Sequence, residues 1–177
     1  QLNIPCTRNY QCYNLNDRLV FNKGVDMKKT LMMILLCLAM ISFAFPRDIF
    51  EIAKKGTPEE MKAAIETGAD IAARADDGWT PLHIAATYNT NPEVITTLIK
   101  AGADIEARTD KGLTPLHTAA ARNSNPEVLL VLLKLGANTK ARDKGGYTPW
   151  DFIQRNEAYE ALKNTKAYWA LNDARHE

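Results

Sequence analysis

Two histidines, His83 and His117, are the residues of this sequence best suited to chemistry, and they lie 34 positions apart. Two imidazoles could contribute to a zinc site, but such a site usually needs three or four protein ligands. The only other histidine is His176, and the three cysteines all lie within the first 37 residues. We therefore predict no metal and no cofactor, and we assign both histidines a structural role.

Acidic neighbours at Asp76 and Asp77, and at Asp104 and Glu106, are the other candidates for chemistry. They lie in predicted turns on a solvated rim, which lacks the burial that raises the pKa of a catalytic carboxyl group. No serine or cysteine is arranged with a base as an activated nucleophile. We predict that the protein is not an enzyme, and an enzyme or an enzyme inhibitor stays as the least favoured alternative.

The segment that positions the two histidines recurs at a constant spacing. Residues 78–86 (GWTPLHIAA) are followed 34 positions later by residues 112–120 (GLTPLHTAA), and after a further 34 by residues 146–151 (GYTPWD). A fixed period of this length is typical of a repeat array. Each copy predicts a helix start, with threonine as N-cap and proline at the first helical position. The motif residues assigned to the scaffold are Thr80, Pro81, His83, Thr114, Pro115, His117, Thr148 and Pro149.

The motif Thr-Pro-Leu-His-x-Ala-Ala resembles the ankyrin repeat, and the rest of the unit agrees. Residues 91–100 match the second helix of that repeat, and residues 101–107 match its exit loop. The resemblance covers residue 45 onward and implies an all-α solenoid of stacked helix-turn-helix units with hairpin-like loops. It also implies that the motif histidine ties the hairpin to the helix start. In this family the hairpin tips and the first helices usually contact a protein partner.

The array is predicted to contain four units. An N-terminal cap spans 45–75, two full repeats span 76–109 and 110–143, and a C-terminal cap spans 144–177. The first cap should begin with a helix over 47–55. The links between the helices of the two full repeats are longer than the common pattern, with Asn91 and Asn125 as N-caps. At the end of the chain we expect one or two helical turns within 165–173, and partial burial of Trp150 and Trp169.

The segment before the repeats resembles an export signal. Met27 begins a short basic region, and residues 31–43 form an apolar run that is short for a membrane span. We expect a signal peptide over 27–44 with cleavage after Ala44, an upstream segment 1–26 that is not native to the protein, and a periplasmic or secreted product. An uncleaved anchor is the alternative.

Cleavage would change the overall charge. It would remove five of the 22 Lys and Arg residues and two of the 21 Asp and Glu residues, so the formal net charge would fall from +1 to −2. The mature chain would contain no cysteine and no membrane span. The mature chain would have a net charge of −2 and would contain no block of like charges, so we predict no binding to nucleic acid.

Residues around each turn that the motif does not fix are the candidates for binding. Stacking should align them in columns across the concave side, the surface on which solenoids commonly bind. Aromatic residues dominate interface hot spots, so Trp79 and Tyr147 are the preferred anchors, with packing on the adjacent hairpin as the open alternative. The candidate set is Trp79, Asp77, Asp110, Lys111, Leu113, Lys144 and Tyr147.

A column of arginines, Arg74, Arg108 and Arg142, also repeats at the 34-residue period. Acidic residues occur at matching spacing, so we expect the arginines to pair with Asp76, Asp110 and Asp143 in exposed ion pairs of little energetic value. An acidic partner is the alternative. Taken together, the sequence predicts a monomeric protein–protein interaction module exported to the cell envelope. A secreted effector acting on host or competitor proteins is the alternative.

Overall fold

The structure, a computed structural model, describes residues 48–176, with side chains to residue 173. The predicted upstream segment 1–26 and signal peptide 27–44 lie outside the described residues. The described part is helical and contains no strand, as the sequence predicts. Its helices are α1 (Ile49–Lys55), α2 (Pro58–Glu66), α3 (Pro81–Tyr88), α4 (Pro92–Lys100), α5 (Pro115–Arg122), α6 (Pro126–Lys134), α7 (Pro149–Ile153), α8 (Tyr159–Leu162) and α9 (Lys166–His176).

The helices form two layers. Helices α1, α3, α5 and α7 stack side by side as the inner layer, and α2, α4 and α6 stack as the outer layer. Each inner helix is short, and the two central ones, α3 and α5, contain the fully buried alanines Ala85, Ala86, Ala119 and Ala120, which allow close approach. Leucine and valine side chains of the outer helices complete one continuous apolar core along the stack. Each unit buries its apolar face against the next unit, so a single unit would leave that face exposed to water.

Threonine is the N-cap of four of the six described helices that begin with a proline. Thr57, Thr80, Thr114 and Thr148 each occupy the N-cap position, and in each case the residue three positions later closes a capping box. The prediction of Asn91 and Asn125 as N-caps is also confirmed, because their side chains accept from Glu93 N–H at 2.9 Å and Glu127 N–H at 3.0 Å. Asp48 is the N-cap of α1.

Three buried asparagines link successive units at the C-terminal ends of the inner helices. The side-chain amide of Asn123 donates to the Ala86 carbonyl at 2.8 Å and to the Asn89 carbonyl at 3.0 Å, both in the preceding unit. Its Oδ1 accepts from Asn125 N–H at 2.9 Å. Asn89 and Asn156 make the equivalent bonds one unit earlier and later. This ladder fixes the lengthened links between helices, and the sequence analysis did not predict it.

The C-terminal end of the array departs from the prediction. Helix α9 has 11 residues, about three turns instead of one or two. It packs on α6 and α7, and its buried residues are Ala167 and Leu171, one turn apart. Trp169 lies between them in sequence and therefore on the opposite face, where it is 52% exposed. The predicted partial burial is thus uneven: Trp150 is buried beneath Tyr168, with ring centroids 4.9 Å apart, whereas about half of Trp169 is exposed.

We expect Asn123→Ala to lower the free energy of unfolding by about 3 kcal/mol, since it removes three buried hydrogen bonds worth about 1 kcal/mol each. Urea denaturation of the full chain, followed by far-UV circular dichroism, measures the change. Ser124→Ala is the matched control, because Ser124 is the exposed neighbour in the same link and should change stability little. Equal stability of the two variants would show that the asparagine ladder does not hold the units together.

Candidate protein-binding surface

The hairpin tips of neighbouring units are joined through their backbones. Asp110 N–H donates to the Asp77 carbonyl at 2.8 Å, and Lys144 N–H donates to the Lys111 carbonyl at 3.0 Å. All four side chains are exposed. The structure therefore brings four of the predicted binding residues together in one continuous line. We call Asp76, Asp77, Asp110, Lys111 and Lys144 the tip row.

Glycine is required at the hairpin turn that precedes each of the inner helices α3, α5 and α7. Gly112 has φ +80°, and a Cβ atom there would lie 3.0 Å from the backbone nitrogen of Lys144. A larger residue would be strained by its backbone conformation and would also crowd the next tip. Glycine at this position therefore permits both the turn conformation and the close approach of neighbouring tips.

Each motif histidine connects three parts of the structure. His83 Nδ1 lies 2.8 Å from Thr80 Oγ1 and 3.3 Å from the Thr80 amide nitrogen, and His83 Nε2 lies 3.0 Å from the Leu113 carbonyl of the next unit. His117 repeats the arrangement, with Nε2 3.1 Å from the Tyr147 carbonyl. The structural role predicted for both residues matches this geometry. The bond to the following unit is an addition that the sequence did not indicate.

The hydrogen-bond partners fix the protonation of these rings. A carbonyl oxygen only accepts, so Nε2 must carry the proton, and Nδ1 accepts from Thr80 N–H. Burial of the His83 ring lowers its pKa from 6.5 to about 4, although the hydrogen bond to the Leu113 carbonyl opposes this shift. Burial also lowers the pKa of His117. Both rings are therefore neutral at pH 7.

Asp151 replaces the histidine in the fourth unit. Its Oδ2 accepts from Thr148 N–H at 2.7 Å and from Thr148 Oγ1–H at 2.8 Å, so the helix start keeps its side-chain acceptor. A carboxylate has no proton to donate onward at pH 7. Within the described residues no further hairpin follows the fourth unit. A histidine at this position would therefore find no hairpin carbonyl to accept its Nε2 hydrogen bond.

The arginine column contradicts the prediction of ion pairs with aspartate. Arg108 Nη1 donates to the carbonyl of Gly112 at 3.0 Å, in its own hairpin, and to the carbonyl of Arg142 at 2.8 Å, in the next unit. Arg74 does the same with Gly78 and Arg108, at 3.3 and 3.0 Å. Within the described part of the chain, none of these arginines forms an ion pair. The planar guanidinium bridges two carbonyls that the repeat brings together, which holds it away from the aspartates.

The three residues after the turn glycines differ in exposure. Trp79 is half-buried, and its ring lies edge-on to His83 with centroids 5.9 Å apart. Leu113 is also half-buried. Tyr147 is 45% exposed, lies edge-on to Phe152, and has the Arg155 guanidinium 5.3 Å from its ring centroid. Tyr147 therefore offers the most accessible ring, whereas Trp79 also packs on the scaffold.

A second line of side chains crosses the ends of the inner helices. Lys54, Tyr88, Arg122 and Arg155 lie within two residues of the C-terminal end of the inner helix of their unit, and all are exposed. The Lys54 ammonium lies 5.3 Å from the Tyr88 ring centroid, which places neighbouring units in contact here. We call these four residues the inner-helix row. The spacing of 34, 34 and 33 residues could have revealed the row, but the sequence analysis did not identify it.

Other kinds of site have little basis in the described residues. Across residues 48–173, no three His, Cys, Asp or Glu side chains gather where they could hold a metal ion. Among the helices described, none is long and apolar enough to cross a bilayer.

A comparison with protein families agrees with this architecture. The family model for ankyrin repeats (3 copies) matches residues 49–143 and 86–163, which together cover more than half of the chain. The chain belongs to the ankyrin-repeat family. Ankyrin repeats are generally protein–protein interaction modules, typically without enzymatic activity. No curated protein matches this chain. In this ankyrin-repeat protein, the side chains of the tip row and the inner-helix row are exposed.

We expect the protein to lose stability as the pH falls from 7 to 5. The unfolded chain protonates His83 below pH 6.5, whereas the folded chain resists protonation down to about pH 4. Stability is therefore complete above pH 6.5 and falls by about 2 kcal/mol by pH 5, with His117 adding in the same direction. Urea denaturation at the two pH values measures the change.

His83→Gln is the matched control for this pH dependence. Glutamine keeps an acceptor for the capping box and a donor, but it does not titrate in this range. The variant should show a smaller fall in stability between pH 7 and 5 than the wild type. An identical fall in the two proteins would exclude His83 as its cause.

Proposed function

We propose that this protein is a binding module exported to the cell envelope, where it presents the tip row and the inner-helix row to a protein partner. The observation that supports the proposal most is the fixed backbone of the tip row, whose side chains stay exposed. A surface that is ordered before binding loses little conformational entropy on association. The rows therefore suit a partner that recognises several units at once.

Tyr147 is the preferred anchor of this surface. Tyrosine supplies a large contact area with few rotatable bonds, and such residues dominate interface hot spots. The Arg155 guanidinium and the Phe152 ring hold the phenol in place while almost half of it remains exposed. Trp79 and Leu113 are half-buried and would contribute their exposed edges. Lys111 and Lys144 flank these residues on the tips.

Export rests on the sequence of residues 27–44, with a basic start, an apolar run and small residues before the proposed cleavage site. The mature chain would begin at Phe45 and would act in the periplasm or in the medium. The absence of cysteine from residue 45 onward suits a repeat array, whose continuous core provides stability without disulfides.

Photo-crosslinking tests the proposed surface. We expect a photoreactive phenylalanine analogue at Lys111 or Lys144 to crosslink a protein from an envelope fraction, because both positions lie on the tip row. The same analogue at Lys134, an exposed position at the end of the outer helix α6, is the control and should give no crosslink of the same mass. Crosslinks of equal yield from all three positions would contradict the assignment of the surface.

Processing of the chain tests the proposed export. When the gene is expressed from Met27 in a bacterial host, we expect intact-mass measurement of the exported protein to give a chain beginning at Phe45. Leu35→Arg is the control, because a charge in the apolar run should block export and leave the precursor uncleaved. A wild-type protein that keeps residues 27–44 and stays in the cytoplasm would refute the proposal of export.

A further inference from the structure

The inner-helix row is rich in positive charge. Three of the four residues in the inner-helix row are cations, Lys54, Arg122 and Arg155, and the row contains no carboxylate. Among the described residues, the ion pairs are Lys55–Glu51, Lys62–Glu66 and Lys163–Glu160, and none involves this row. The row therefore presents exposed cations outside the ion pairs of the described residues.

Two aromatic rings orient these cations. The Lys54 ammonium lies over the ring of Tyr88, and the Arg155 guanidinium lies over the ring of Tyr147, each 5.3 Å from the ring centroid. A cation–π contact restrains a long side chain but leaves its hydrogen-bond donors accessible from the other side. The arrangement therefore holds the charges in position for an anionic ligand and gives that ligand apolar surface beside them.

The period of the array sets the spacing of the charges. Packed helices lie roughly 8–10 Å apart, so neighbouring residues of the row are separated by about that distance. A peptide in the polyproline II conformation is extended, with three residues per turn and about 3.1 Å per residue, so one unit corresponds to about three residues and every third side chain lies on the same face. Carboxylates at every third position of such a peptide would match Arg122 and Arg155.

We propose that the inner-helix row binds an extended acidic peptide segment of the partner, with its carboxylates about three residues apart. The inference rests on the proposed function and specifies the chemistry of the partner. The acidic residues of the segment lie over the third and fourth units, because Asp76 and Asp77 on the tip of the second unit repel them. A nucleic acid fits less well, because the aspartates of the tip row would face its continuous phosphate backbone.

Fluorescence anisotropy with labelled peptides tests the inference on the full chain. The probe is a twelve-residue peptide with glutamate at every third position and with proline and serine elsewhere, which favours the polyproline II conformation. Peptides with glutamine or lysine in place of glutamate, and a twelve-nucleotide oligothymidylate, are the comparison ligands. We expect the acidic peptide to bind most tightly and to weaken as the salt concentration rises.

A charge-matched pair of variants separates the row from net charge. Arg122→Gln combined with Arg155→Gln should weaken binding of the acidic peptide about tenfold, since two charge-assisted contacts are lost. The control is Lys100→Gln combined with Lys134→Gln, which removes two exposed charges at the same repeat spacing from the outer helices. This control should change the affinity less than about twofold. Thermal melts establish that both variants remain folded.

Several results would overturn the inference. They are equal affinity for the glutamate and glutamine peptides, equal losses in the two double variants, or no binding of the acidic peptide up to about 1 mM. Tighter binding of the oligothymidylate, lost in the Arg122→Gln and Arg155→Gln variant, would assign the row to nucleic acid. None of these results alters the crosslinking test at Lys111 and Lys144, which judges the proposed surface independently of the charge of its partner.

Discussion

Hydrogen bonds from side chains to main-chain carbonyls of the adjacent unit are the interaction on which this structure depends. At the N-terminal end of an inner helix, His83 and His117 donate to the following unit. At the C-terminal end, Asn89 and Asn123 donate to the preceding unit. Each inner helix in the middle of the array is thus held at both ends and in opposite directions. Hydrophobic burial drives the stacking, and these bonds set its register.

Because the acceptors of these bonds are main-chain carbonyls, the side chains of the residues that supply them are free to vary. Leu113 and Tyr147 occupy equivalent positions, and each gives its carbonyl to the histidine of the preceding unit. Their side chains take no part in that bond, so one residue can support the scaffold with its backbone and contribute to the surface with its side chain. The same separation applies to the tips, whose backbones pair while their side chains remain exposed. Surface chemistry can therefore change without disturbing the fold.

The sequence predicted the features that depend on local chemistry. The period, the threonine and proline at the helix starts, and the asparagine caps could all be identified because each depends on residues close in the chain. Arg108 was assigned wrongly because a nearby aspartate is visible in the sequence, whereas a carbonyl 34 residues away becomes a neighbour only when units stack. The asparagine ladder was missed for the same reason, whereas the inner-helix row has a regular spacing that the sequence does contain. The uneven burial of Trp150 and Trp169 could not be predicted, because the facing direction of α9 depends on its packing against α6 and α7.

Asp151 affects how many units such an array could contain. The second and third units each donate from their histidine to the unit that follows, and the third unit also accepts such a bond from the unit before, as a repeating monomer of a polymer does. The fourth unit keeps the acceptor but has lost the donor, as a chain terminator does. A duplicated histidine-bearing unit would fit between the second and the third and would lengthen the concave surface by one unit. The same unit placed after the fourth would lack this bond and would also meet α9, which packs on α6 and α7, so Asp151 and α9 together limit the length of the array.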